Sequence, residues 1–555
     1  MSKRKKSETS KTQKANKPAN TLGNKFSRVI HHKYFALSFS FLFFVVMIII
    51  SYSYHKIGDY GVETDFYQSY VPLARDLLNG VLTIDSFKGP VYQILLSVVG
   101  FIFSDFFKAG IFIGVFSAAV FIYFTFELLR NLYSEIIALL AILFIAFNPT
   151  FIQYTYSAGT DMFFAVLVMI SFYYLFKNDN LNYKNLVVAS FIGGIAYLTR
   201  YNGVFILGFV LIILFVNYWD INWRERIKSS SIFLGTFFLT IAPWGIYCLI
   251  RKGSFFFNEN YKNIAYELYG KGRISWEAFW YSPNNEFNSL NDVISKDPAL
   301  MLKTILGNIY ANFVGDMGRL LGWYIGALVI IGIIFYIVSD GFVIRKNSED
   351  KKKLSFYIMS LFFFFLLSLI FYSERFSLFL LPFYFVIVFY EFFERTLKVL
   401  KKYFEQHQVI KIPVLKSAMN LVIILLLALS AYKTIQYNSA VINSGPQEIL
   451  RLQEWYFKNI PDSERGKKIA ARKPQVAYYL DMKFNVIPMA DNLVQLLDYL
   501  KINGDDYLFF SWVEAGTRPK LRYLLDSGPE VPGLERMVSF KDPPAVLYRV
   551  RKSGK

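Results

Sequence analysis

The sequence predicts a mostly α-helical, polytopic membrane protein that ends in a small α/β unit. Three observations predict it. Of 555 residues, 54% are hydrophobic and 19% aromatic, and long apolar runs recur from residue 34 to residue 436. A soluble core seldom holds that density of uninterrupted runs. Basic residues gather in the N-terminal tail and in short loops between the runs, and from residue 437 the composition turns to that of a water-soluble domain.

Taken in order, the first 33 residues carry ten Lys or Arg against one acid, Glu8, with much Ser, Thr, Asn and Gln. That composition predicts a disordered cytoplasmic tail resting near anionic lipid. Spans are predicted near 34–54, 109–130, 134–152, 160–177, 185–200, 203–218, 230–250, 319–339, 354–372, 376–393 and 417–436. The first lacks a small-residue cleavage site and is too long for a removable signal peptide, so it reads as an anchor. The stretch 91–104, VYQILLSVVGFIFS, falls in the roughly 10–14 residue range of re-entrant or interfacial segments.

Charge placement tests that stretch. With 91–104 left out, about eleven spans remain, and the basic loops near 219–229, 340–353 and 394–416 lie inside with the tail, as the positive-inside rule requires. Loop 55–90, loop 251–318 and everything after 436 then lie outside. If 91–104 crossed, all three basic loops would face the wrong side. The expected layout is therefore a tail (1–33), a transmembrane domain (34–436) and an extracytoplasmic α/β domain (437–555). The membrane is expected to be a bacterial plasma membrane.

The formal charge of +19 does not signal nucleic acid, because the basic groups follow the loops and no DNA- or RNA-reading motif is present. The single cysteine, Cys248, sits in an apolar run. It allows no intramolecular disulfide, and no Cys/His spacing fits a metal. In loop 251–318, Asp297 is placed to cap a helix that Pro298 begins. Leu300, Leu302, Ile305, Leu306, Ile309 and Phe313 give it an apolar face, to lie in the membrane interface or to pack on the spans. After 437, GPQEILRLQEWYFKNI, NLVQLLDYLKING (ended by Gly504) and RPKLRYLLD read as helices. KKIAARK, FNVIP and DYLFFSW read as strands, and ERMVSF with AVLYRVR as a closing hairpin. Alternating strand and helix predict a partly parallel sheet.

Chemistry is expected on the outer face. Loop 55–90 brings Asp65 and Glu63, the turn YTYSAGTDMFF brings Asp161, YLTRYNG brings Arg200 and Tyr201, and YSERFSLFLLP brings Glu374 and Arg375. Carboxylates at a membrane boundary are expensive without a partner or a task. Singly these residues have plain readings: an aspartate at a span end caps a helix, and an arginine there snorkels. Together, guanidinium beside carboxylate at the headgroup level suits a lipid phosphate, which arginine clamps bidentately. A nearby carboxylate can take the proton of an attacking hydroxyl. These parts describe sugar transfer from a polyprenyl-phosphate donor to a hydroxyl acceptor. A transporter or lipid-linked sugar flippase, and a surface-polysaccharide ligase or polymerase, are the alternatives; a transporter would place its ionisable residues mid-span.

The ordered set ETDFYQSYVPLARDLLNG, FKGPVYQILL, NPTFIQYTYSAGTDMFF, GGIAYLTRYNG and ERFSLFLLP resembles the GT-C glycosyltransferases, in particular the protein O-mannosyltransferases and the aminoarabinose transferase of lipid A. The C-terminal run from IAARKPQVAYYLDMKFNVIP to RPKLRYLLD is similar to the outer domain of bacterial members. The resemblance implies Asp65 as catalytic base, Asp161 as the second-loop acid and Arg200 at the donor phosphate, with Glu63 an understudy to Asp65. It also implies a lipid-linked sugar donor, inversion at the anomeric carbon, membrane lipids as surroundings and an acceptor that is lipid, protein or glycan. Relatives often carry an acid or His just before Pro-Pro-Leu in the first loop, sometimes serving a metal. This chain has Lys88-Gly89-Pro90-Val91, so no metal or other cofactor is expected. Lys88 is then a second phosphate contact or a snorkelling anchor.

Overall fold

The computed structural model describes residues 32–280, 286–340, 347–407, 412–526 and 530–551. The predicted basic tail lies outside the described residues except for His32 and Lys33, as do 341–346 and 408–411 of two basic loops. The described chain is a bundle of apolar helices with a five-stranded sheet at its C-terminal end. Among the described residues, five helices are long and apolar enough to cross a membrane: Phe35–Tyr54, Phe106–Leu132, Trp223–Lys252, Glu374–Tyr403 and Pro413–Asn459. Shorter apolar helices, including Pro90–Phe103 and Asp161–Phe176, complete the bundle. Leu421, Ile424 and Leu425 on the helix Ile412–Asn443 are each more than half exposed. A stripe of that kind is tolerable against lipid and not against water. The protein is a membrane protein.

Helix ends follow local chemistry. Asp105 opens Phe106–Leu132 by accepting from the backbone of Phe107 (2.9 Å) and Lys108 (3.1 Å). The run expected as one span over 134–152 is instead two helices, Glu135–Ala146 and Pro149–Tyr156, bent by 65°. Pro149 has no N–H to donate and bars helical backbone at the residue before it. Asn148 is accordingly extended and caps the new helix, accepting from Phe151 N at 2.8 Å. The expected span over 203–218 also departs from a plain α-helix. It runs as a 3-10 segment (Tyr201–Gly208), one α turn and a π segment (Ile212–Val216). Asp297 caps Pro298–Gly315 as its spacing predicts, accepting from Leu300 N at 2.8 Å. That helix splits its apolar residues: Ile309 and Phe313 pack on the bundle, whereas Leu302, Leu306 and Tyr310 point outward.

The sheet has the order β2-β1-β3-β5-β4. Strands β1 (Lys468–Ala471), β2 (Lys483–Val486) and β3 (Tyr507–Ser511) are parallel, and the hairpin β4 (Leu534–Lys541) with β5 (Pro544–Val550) is antiparallel. Side chains alternate between two cores, as a period of two dictates. Ile469, Tyr507, Phe509 and Leu547 face the helix Gln447–Asn459; Ala470, Leu508, Phe510 and Val546 face the helix Leu493–Ile502. The segment RPKLRYLLD forms a 3-10 turn, Pro519–Leu525, rather than an α-helix. The first of these cores also takes in Ile57, from the loop after the first transmembrane helix, which brings that loop against the sheet domain.

Candidate active site

The first helix ends at Tyr54, and the next residue, His55, is buried. Its Nε2 lies 3.0–3.1 Å from both carboxylate oxygens of Glu63. Burial alone would lower the His55 imidazole, but the Glu63 carboxylate beside it prevails and holds it above its usual value. Glu63, fully buried, also accepts from the backbone N–H of Asp59 (2.9 Å) and of Ala158 (2.6 Å). Its oxygens are therefore spent on tying the first loop to the turn that carries Asp161. That differs from an understudy base, which needs a lone pair open to substrate.

Two residues later Asp65 is exposed, at the head of a π segment Phe66–Tyr70 that continues into the helix Val71–Leu78. Phe66, Tyr67 and Tyr70 turn inward, which leaves Asp65 outward. Tyr70 donates to Thr160 Oγ1 (3.4 Å) and feels the charges of Arg200, Asp65 and Asp161. Lys88 stands with its ammonium 4.8 Å from the Tyr70 ring centre, a cation–π contact. Gly89 makes this placement possible. A Cβ there would lie 1.9 Å from the carbonyl oxygen of Leu198, so only glycine lets the first loop press against the end of the helix Tyr183–Thr199. The residue after that helix is Arg200.

Arg200 is an extended C-cap whose guanidinium forms an ion pair with Asp161 and donates to Thr160 Oγ1 at 3.4 Å. Asp161 opens the helix Asp161–Phe176, whose N-cap Thr160 makes no side-chain cap, and its carboxylate is given to Arg200. The Phe376 ring meets two guanidinium groups, its centre 5.2 Å from that of Arg200 and 5.0 Å from that of Arg375. Arg375 in turn lies within electrostatic reach of Asp161 and Asp65. Asp65, Lys88, Asp161, Arg200 and Arg375 thus share one neighbourhood, although four separate stretches of chain supply them.

Two predicted residues are placed otherwise. Glu374 pairs with Arg319 at the edge of this cluster, and Tyr201 donates to the backbone carbonyl of Lys88 at 3.3 Å. Tyr201 also lines an apolar recess with Tyr197, Trp244, Phe255 and Phe257. Phe376, Thr160, Tyr70 and the His55–Glu63 tie escape sequence reasoning. In a chain with 58 Phe and 39 Tyr, one aromatic ring carries no signal; only its place beside Arg375 could have marked Phe376. Among the described residues, no group of three or more His, Cys, Asp and Glu could hold a metal ion.

A sequence model of the dolichyl-phosphate-mannose-protein mannosyltransferase family matches residues 87–247. The fold is similar to that of ArnT from Cupriavidus metallidurans bound to undecaprenyl phosphate. The TM-score is 0.59 at 12% identity, over 93% of this chain and 98% of that one. It is also similar to the archaeal oligosaccharyltransferase AglB from Archaeoglobus fulgidus, in complex with an inhibitory peptide and a dolichol-phosphate. There the TM-score is 0.54 at 15% identity, over 87% of this chain and 70% of that one. No curated protein matches the chain. The chain has the GT-C fold expected from its motifs.

Proposed function

We propose that this chain is an integral-membrane glycosyltransferase that moves a sugar from a polyprenyl-phosphate donor to a hydroxyl acceptor at the extracytoplasmic face. The observation that carries the reading is the pair of guanidinium groups that meet the Phe376 ring, with Asp65 and Asp161 in their field. The family match and the lipid phosphates bound by the two structural neighbours support it. Asp65, exposed at the head of its helix, takes the proton of the acceptor hydroxyl. The acceptor oxygen attacks the anomeric carbon, and the bond from that carbon to the phosphate oxygen breaks. The electron pair leaves with the polyprenyl phosphate. Arg200, Arg375 and Lys88 stabilise that departing charge, and Asp161 fixes the plane of the Arg200 guanidinium.

The test is Asp65→Asn in the full chain, assayed with polyprenyl-phosphate sugars and with mass analysis of the product. Loss of a general base costs about 10²–10⁴-fold in rate, at unchanged expression. Wild-type turnover in that variant would remove Asp65 from the mechanism. Substrate flux without any covalent product would replace transfer with transport, and a polymer as product would make the enzyme a polymerase.

A further inference from the structure

In an open α/β sheet, ligands settle outside the carboxyl ends of the strands where the strand order reverses. Here the reversal lies between β1 and β3, because the chain continues from β1 to β2 on one side and resumes with β3 on the other. The crevice is bounded by Arg472 and Lys473 after β1 and by Trp512 and Glu514 after β3. Glu514 braces its walls, accepting from Arg472 N and from Ser511 N at 2.8 Å each.

The chain's own first loop occupies this crevice. Lys473 Nζ donates to the carbonyl of Tyr60 (2.7 Å) and to Thr64 Oγ1 (3.0 Å). Gln475 donates to the carbonyl of Asp59 at 2.7 Å. The Tyr60 hydroxyl donates to Glu448 at 2.8 Å, and its ring lies 6.3 Å from that of Trp512. Burial, with Glu448 and Glu514 nearby, pushes the Tyr60 phenol well up, so it stays a donor. Ile57 completes the hydrophobic core beneath the helix Gln447–Asn459. The backbone carbonyls of 59 and 60, a hydroxyl and two side chains of the loop are thus recognised together, as a bound peptide would be.

We infer that the switch-point crevice of the C-terminal domain is a receptor for residues 57–64, and that Lys473 is a positioning residue for Asp65. Thr64 is the residue before Asp65, and its hydroxyl also donates to Tyr60 O at 2.6 Å. The Lys473 ammonium therefore closes the turn from which Asp65 projects. The kinetic half of the inference rests on the glycosyl-transfer reading; the docking half does not.

The experiment uses the full chain in lipid nanodiscs and compares wild type, K473M and K473R. A hydrogen bond from a charged group protects a local opening by about ten- to a hundred-fold. K473M should raise amide exchange over 59–66 by that factor and leave 493–525 unchanged. Its kcat should fall while KM for the polyprenyl-phosphate sugar stays constant, and K473R should restore both kcat and protection. Unchanged loop exchange in K473M, or a fall in kcat with the loop still protected, overturns the inference. If K473M does not fold, Tyr60→Phe removes only the bonds of that hydroxyl, to Glu448 and Ser511, and is read by the same two criteria. If no sugar is transferred by wild type, the exchange data still decide the docking, and only the transfer reading is lost.

Discussion

Arg200 is held by neighbours of three kinds: a carboxylate, a hydroxyl and two aromatic faces. Its partner Asp161 is buried. A buried charge left alone is costly, about 3–5 kcal/mol, whereas removing both partners costs much less. Arg200→Ala should therefore destabilise the protein more than the double change Arg200→Ala with Asp161→Ala, as thermal unfolding in detergent would report. Arg200→Lys should keep the fold but lose the planar fork that meets a phosphate, which a raised donor KM would show. The positions that the sequence marks here are acids and arginines at the ends of apolar runs, where charge is too expensive to be incidental. What fixes their geometry is not marked in that way. Phe376 beside two guanidinium groups, Gly89 against Leu198 and Glu63 on Ala158 all depend on contacts between stretches far apart in the chain.

At the scale of elements, the turn before the helix Trp323–Asp340 contains a fully buried acid, Asp316, that receives hydrogen bonds from Tyr372 (3.0 Å) and Tyr384 (2.7 Å). It anchors the segment that bears Glu374, Arg375 and Phe376. Burial pushes its carboxyl up to about 7, against the pull of the Tyr384, Ser377 and Tyr372 hydroxyls. A carboxyl raised on folding stabilises the fold while protonated. Its contribution is complete below the ordinary carboxylate range and is lost as pH rises through about 7. Unfolding temperature should therefore drop between about pH 4 and about pH 7, and Asp316→Asn should flatten that drop. A slope equal to wild type in the variant would assign it to other groups raised in the same direction, among them His55, Asp59 and Glu448. The fold's element types are legible where period and caps agree, as for Pro298–Gly315 behind Asp297. The bend at Asn148–Pro149 carries a cap and a helix-starting proline in plain sight, but apolar residues on both sides read as one span. The 3-10 and π segments leave the apolar pattern almost unchanged, so no periodicity reveals them.

The whole molecule carries charge beyond both ends of an apolar bundle, in basic loops and in the sheet domain. We read the tail as cytoplasmic and the sheet domain as extracytoplasmic, about eleven spans apart, in the layout 1–33, 34–436 and 437–555. Cys248, the only cysteine in the chain, is buried, so its replacement by Ala gives a blank background for labelling. An impermeant maleimide should modify Lys483→Cys in intact cells and spare Glu349→Cys, both positions being exposed. The opposite pattern would invert the orientation.

Ile57, with Tyr60 packed against it, completes a core whose other buried members all come after residue 448. Heredity must then treat a piece of the amino-terminal half as the property of the carboxyl-terminal half. A recombinant that grafts a foreign sheet domain onto this bundle inherits a socket cut for someone else's peptide. The exchangeable module is the sheet domain together with the stretch after the first membrane helix, and a crossover drawn at residue 437 alone divides it.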